Sequence, residues 1–111
     1  MKSGRNLDVD EFEATRNAVD LWWDDWYVKG LMDFIRVPNL TPLVDAEYKT
    51  NGLLEKAMAC VDDYINELKI DHLERKVFQP EGSNPLIVYK YEHPEMTVDA
   101  PNIMIYGHLD K

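Results

Sequence analysis

His108 and Asp110 are the residues whose types and spacing could do chemistry, and they close the run Asn102-Ile-Met-Ile-Tyr-Gly-His-Leu-Asp-Lys111. A neutral imidazole is a common zinc ligand, and it usually needs a carboxylate or carbonyl on its other ring nitrogen to fix tautomer and orientation. Asp110 is placed to be that partner. If extended backbone continues past Gly107, residues two apart point to one side, so His108 and Asp110 face the same space. The pair by itself also fits a surface histidine beside an acid, and such a motif gains meaning only from the elements around it.

Those elements read as follows. Ile103, Met104, Ile105 and Tyr106 form an apolar run of the length and composition of a short buried strand over 102–107, ended by Gly107. In open α/β sheets, ligands collect outside the carboxyl ends of strands, which is where His108 then sits. A strand over 86–92 precedes it, and a polar link over 93–101 joins the two as antiparallel neighbours. A further strand covers 73–78, where the charged centre Glu74-Arg75-Lys76 marks an edge or a solvent-facing side.

Two helices come first. One starts near Asp8 or Asp10, carries Asp10, Glu11 and Glu13 at the positive end of its dipole, and stops at Pro38. Val19, Trp22, Trp23, Trp26, Leu31 and Phe34 recur at three- and four-residue steps and predict one buried aromatic face. Gly30 is a candidate interruption, because glycine inside a helix costs about 1 kcal/mol against alanine. An irregular link over 39–49 contains Pro42. The second helix spans 51–69 with Asn51 as its N-cap, an apolar stripe of Leu54, Ala57, Met58, Val61, Ile65 and Leu68, and an outer face of Glu55, Lys56, Asp62, Asp63 and Glu67.

The segment Leu31-Met-Asp-Phe-Ile-Arg-Val-Pro38, the order helix, link, helix, strand, strand pair, and the closing Tyr106-Gly-His-Leu-Asp110 together resemble the amino-terminal part of the carnosinase-like zinc metallopeptidases. That family includes aminoacylases and glutamate carboxypeptidases, and the wording of the closing motif looks most like its dipeptidase branch. The resemblance runs from about Phe12 to Lys111. It implies an α/β fold in which two amino-terminal helices and about three strands open a mixed-sheet catalytic domain over 9–111, preceded by a disordered terminus over 1–8. It also implies a two-zinc site with His108 as a ligand of one metal and Asp110 orienting that ligand from behind. In the family, the bridging Asp, the paired Glu residues that supply the general base and a ligand, and the remaining ligands lie further along the chain. The expected function is therefore that of the amino-terminal segment of a metal-dependent dipeptidase or amidohydrolase acting on a small peptide or acyl-amino acid. One His and one Asp fall short of the three protein ligands of a catalytic zinc, so this segment alone is expected to be inactive. The alternative is a non-catalytic relic or assembly subunit that uses the same elements for protein contacts, with a protein partner or the rest of the catalytic domain covering its strand edges.

Composition excludes several classes. The 111 residues carry a net charge of −9, which disfavours nucleic acid and anionic membranes as partners. No apolar stretch nears the ~20 residues of a membrane span, and the start lacks the apolar core of a secretory signal. The single cysteine, Cys60, cannot form an internal disulfide and reads as a reduced packing residue, so a cytoplasmic location is the expectation.

Other features have plainer readings. An aromatic stripe such as Trp22, Trp23 and Trp26 is ordinarily packing rather than a stacking platform. The pairs Asp24-Asp25 and Asp62-Asp63 point about 100° apart on a helix and read as solvated faces. His72 and His93 are expected at the surface. Gly82-Ser83-Asn84 reads as a turn without a phosphate-binding pattern, and no Gly-X-Ser-X-Gly nucleophile turn occurs.

Overall fold

The computed structural model describes residues 9–111. The expected disordered terminus over 1–8 lies outside them. The boundary between two compact units falls between Arg36 and Val37.

The first unit is helical: α1 (Val9–Trp22), a π-helical turn (Trp23–Tyr27) and α2 (Val28–Arg36). Asp10 and Glu11 occupy the first turn of α1, where carboxylates meet the positive dipole end. The helix ends at Arg36, because Pro38 disfavours helical backbone at Val37. Gly30 does not interrupt it. The break falls instead at the tryptophans, where the Val28 N–H donates to the Trp23 carbonyl five residues back. A π turn holds an extra residue and so rotates everything downstream relative to an α-helical stripe. The expected single buried face is not found: Val19, Trp22, Trp23 and Leu31 are all exposed, those before the π turn as well as those after its start. The rings pack on one another instead. Trp22 and Trp26 meet edge-on with centroids 6.0 Å apart, and Trp26 meets Tyr27 at 5.0 Å.

The second unit contains α3 (Leu53–Glu67), β1 (Leu73–Phe78) and β2 (Leu86–Tyr91). The link before α3 is a series of turns, with the Val44 and Asp45 N–H groups donating to the Thr41 carbonyl at 2.9 and 3.1 Å. Gly52, not Asn51, is the N-cap residue of α3, at a left-handed φ of 70°. Asn51 still serves the helix start, since its Oδ1 accepts the Leu53 N–H at 3.0 Å. Of the expected stripe, Ala57 and Met58 are buried, whereas Leu54, Val61, Ile65 and Leu68 are half-buried.

β1 and β2 pair antiparallel, with Arg75 opposite Tyr89 and Lys76 opposite Val88. The two strands alone form the sheet. Between them, Ser83 N–H donates to the Pro80 carbonyl at 3.0 Å and Gly82 adopts a φ of 78°, the turn expected there. Ile87 and Tyr89 alternate with exposed Leu86 and Val88, the period-2 pattern of a one-sided sheet.

The third strand does not form. Residues 101–111 are irregular, and Ile103 to Tyr106 are 74–93% exposed. A strand exists only beside a hydrogen-bonding neighbour, and among the described residues none lies alongside 102–106. The link that was expected to pair it with β2 is taken up by turns, with Met96 N–H on the His93 carbonyl and Ala100 N–H on the Thr97 carbonyl. The architecture is thus mixed α and β, two helical regions and a two-stranded antiparallel sheet. No described helix is long and apolar enough to cross a membrane.

Candidate metal-ligand site

His108 and Asp110 meet without the strand that was expected to present them. His108 Nδ1 lies 3.0 Å from Asp110 Oδ1, so an Nδ1–H donates to the carboxylate in the neutral tautomer that this contact favours. Nε2 then carries the lone pair, and the Tyr106 hydroxyl sits 3.3 Å from it. The two rings meet edge-on at 5.4 Å. The His108 side chain is 69% exposed, and an ion reaching Nε2 must displace the Tyr106 hydroxyl. The hydrogen bond from His108, with a smaller contribution from the Thr41 hydroxyl, holds the Asp110 carboxyl below its ordinary pKa.

With no sheet behind it, the segment is anchored by the loop that follows α2. Asn39 Nδ2 donates to the Leu109 carbonyl at 2.7 Å, and Thr41 N–H donates to the Lys111 main-chain oxygen at 2.8 Å. The Lys111 ammonium in turn donates to the Val37 carbonyl. Asn39 is 2% exposed, and its Oδ1 has no hydrogen-bond partner among the described residues. Sequence reading singled out neither Asn39 nor Thr41. The Val-Pro-Asn wording marked only a helix stop, and nothing in the local sequence announces a contact 70 residues away.

Beside this arrangement is a cleft of about 270 Å³, whose lining includes Asn39, Tyr48, Met58, Ile87, Tyr106 and His108. Its charged lining consists of the carboxylates Asp45 and Asp110, with no lysine or arginine among the described residues. The Asp45 carboxylate accepts from Asn51 Nδ2 at 2.6 Å and from the Glu47 N–H at 2.9 Å.

As a donor set for zinc, these residues fit one ligand position. An imidazole with a carboxylate on Nδ1 is what a zinc-bound histidine presents. Among the described residues no group of three or more His, Cys, Asp or Glu comes together to hold a metal ion. His72 and His93 are exposed, as expected, and His93 Nδ1 is occupied by the Glu95 N–H at 3.1 Å.

Asp62 corrects a second expectation. Placed on a solvated outer face by helical geometry, its side chain is only 17% exposed and is clasped by the sheet. Arg75 donates from Nε at 2.7 Å and from Nη2 at 2.5 Å, and the Tyr89 hydroxyl donates to the same carboxylate. The Arg75 hydrogen bonds lower the Asp62 pKa against the opposing cost of burial. Burial, followed by the hydrogen bond to Asp62, pushes the Tyr89 phenol up to about 12. The cluster satisfies its own charges and joins helix to hairpin.

Comparison with known protein families, with curated proteins and with solved structures gave no match to this chain.

Proposed function

We propose that this chain is the amino-terminal segment of a metal-dependent dipeptidase or related amidohydrolase, in which His108 is a zinc ligand and Asp110 orients it. The observation that carries this reading is the 3.0 Å contact between His108 Nδ1 and Asp110 Oδ1, which leaves Nε2 to bind metal in place of the Tyr106 hydroxyl. Its second support is the resemblance of Tyr106-Gly-His-Leu-Asp110 to the dipeptidase branch. When bound, zinc supplies an activated water and polarises the scissile carbonyl of a small peptide or acyl-amino acid. His108 holds its place through Nε2, Asp110 keeps the proton on Nδ1, and the general base comes from residues outside this segment. A cytoplasmic setting suits a chain whose single cysteine cannot form an internal disulfide.

The test is metal-dependent release of amino acids from short peptides by the native protein, with His108→Ala introduced. Loss of turnover is expected, and turnover at the wild-type rate overturns the assignment. A second reading, a non-catalytic subunit built for assembly, is favoured by one observation: the apolar Ile103 to Tyr106 segment is almost fully exposed. It requires that the Ile103 to Tyr106 segment be covered in a complex and that His108→Ala leave that complex intact.

A further inference from the structure

Of the seven asparagines in the chain, Asn51 is the one followed by glycine. Both Asn51 and Gly52 are exposed. The Asn51 side chain is held at its two ends: Oδ1 accepts the Leu53 N–H at 3.0 Å, and Nδ2 donates to Asp45 Oδ2 at 2.6 Å. The first contact is an Asx turn, which closes a ring through the Gly52 peptide and folds the side-chain amide toward the Gly52 nitrogen. That nitrogen is unguarded. Nothing lies within 4 Å of where a Cβ would stand on Gly52, and its N–H makes no hydrogen bond among the described residues.

From this juxtaposition we propose that Asn51 is a site of spontaneous deamidation, and that the reaction releases the clasp between Asp45 and the start of α3. Once solvent base takes the Gly52 amide proton, the nitrogen attacks Asn51 Cγ. The new N–Cγ bond closes a cyclic imide as the Cγ–Nδ2 bond breaks, and ammonia leaves carrying a proton equivalent to the one Gly52 lost. Water then opens the imide at either carbonyl, leaving aspartate or isoaspartate. Water is the sole co-reactant, so the step stands apart from the metal reading of His108. The other asparagines are poorly set for it. Asn84 precedes Pro85, which has no N–H, and Asn39 is 2% exposed. Asn17 and Asn66 lie inside α1 and α3, where the next N–H belongs to the helix ladder, and Asn102 precedes the β-branched Ile103. The product carries a carboxylate where an amide donated to Asp45, so repulsion replaces a 2.6 Å hydrogen bond. Asp45 and Asn51 both line the cleft beside His108, and the new charge joins a lining of Asp45 and Asp110 that holds no lysine or arginine.

The purified chain, kept in mildly alkaline buffer at physiological temperature, is followed by peptide mapping for amide-to-acid conversion and for isoaspartate. Conversion at Asn51 is expected to run several times faster than at Asn102, and to slow several-fold in Gly52→Ala, where a methyl crowds the attacking nitrogen. An unmodified Asn51, or conversion there no faster than at Asn102, overturns the site. Asn51→Asp reproduces one product and is expected to lower the urea midpoint. Adding Asp45→Asn to Asn51→Asp exchanges donor and acceptor while still supplying acceptors to the Glu47 and Leu53 N–H groups, and is expected to restore the midpoint. If Asn51→Asp alone does not fold, recovery of folding in the exchanged pair supports the clasp equally. Wild-type stability of Asn51→Asp, or no recovery in the exchanged pair, overturns it.

Discussion

Arg75 on β1 grips Asp62 on α3 side-on, with Nε 2.7 Å and Nη2 2.5 Å from the two carboxylate oxygens. Tyr89 on β2 donates to the same carboxylate, so one acid ties the helix to both strands. Parallel N–H donors from one guanidinium give this contact a fixed geometry that a lone surface ion pair lacks.

Asp62→Asn is expected to lower stability by about 1 kcal/mol, the lower end for a charged hydrogen bond because the pair is partly solvated. The sign of the pH dependence follows from the lowered Asp62 pKa. The stabilisation is fully present above the ordinary carboxylate value of 3.8 and is lost as pH falls through the depressed value in the folded state. Urea midpoints measured from neutral pH down through this range should decline more steeply for wild type than for Asp62→Asn.

Tyr89 is expected to ionise near 12, against an ordinary 10.0, when followed by phenolate absorbance. A raised acid pKa contributes stability below 10.0 that disappears as pH rises toward 12. Asp62→Asn should bring the Tyr89 titration down, because the carboxylate is part of what disfavours phenolate.

His108→Ala should remove the zinc response of the imidazole spectrum while leaving the Asp62, Arg75 and Tyr89 resonances in place. His72→Ala, at an exposed position outside the cleft, is expected to leave zinc binding unchanged. Equal zinc responses in wild type and His108→Ala would count against the ligand assignment.

Gly52→Ala should destabilise the chain by about 1 kcal/mol, the usual scale for forcing a side chain into the left-handed region. Its φ is 70°, and nothing lies within 4 Å of where a Cβ would stand, so the cost is conformational rather than steric. Gly52→Asn should cost less, since asparagine tolerates that backbone better. Equal thermal midpoints for all three sequences would contradict this account.

Much of the local structure was legible in the residues. The bounds of β1, the turn at Gly82-Ser83 and the end of the first helix before Pro38 follow from local preference. The long-range features were hidden. Asp62 looks like any acid on a helix surface until β1 and β2 bring Arg75 and Tyr89 beneath it. Asn39 looks like a loop residue until Leu109 arrives. The apolar pattern over 102–106 has the composition of a strand, but composition cannot supply the neighbour a strand needs. The π turn was missed because the spacing of Trp22, Trp23 and Trp26 reads the same whether or not the helix takes in an extra residue there. For the candidate site, the pairing of His108 with Asp110 was readable from their two-residue spacing, whereas the loop that restrains them was not.

The unpaired Ile103 to Tyr106 run has a colloidal consequence. Short β-prone apolar stretches stick to copies of themselves when exposed, and sequences hold them apart with proline and charge at the flanks. Pro101 stands on one side, Asp110 and Lys111 on the other, and the −9 net charge keeps whole molecules repelling one another. That repulsion vanishes near the isoelectric point of about 4.6. Precipitation should therefore set in on acidification toward that value, and Ile105→Lys should hold the protein in solution there by interrupting the run.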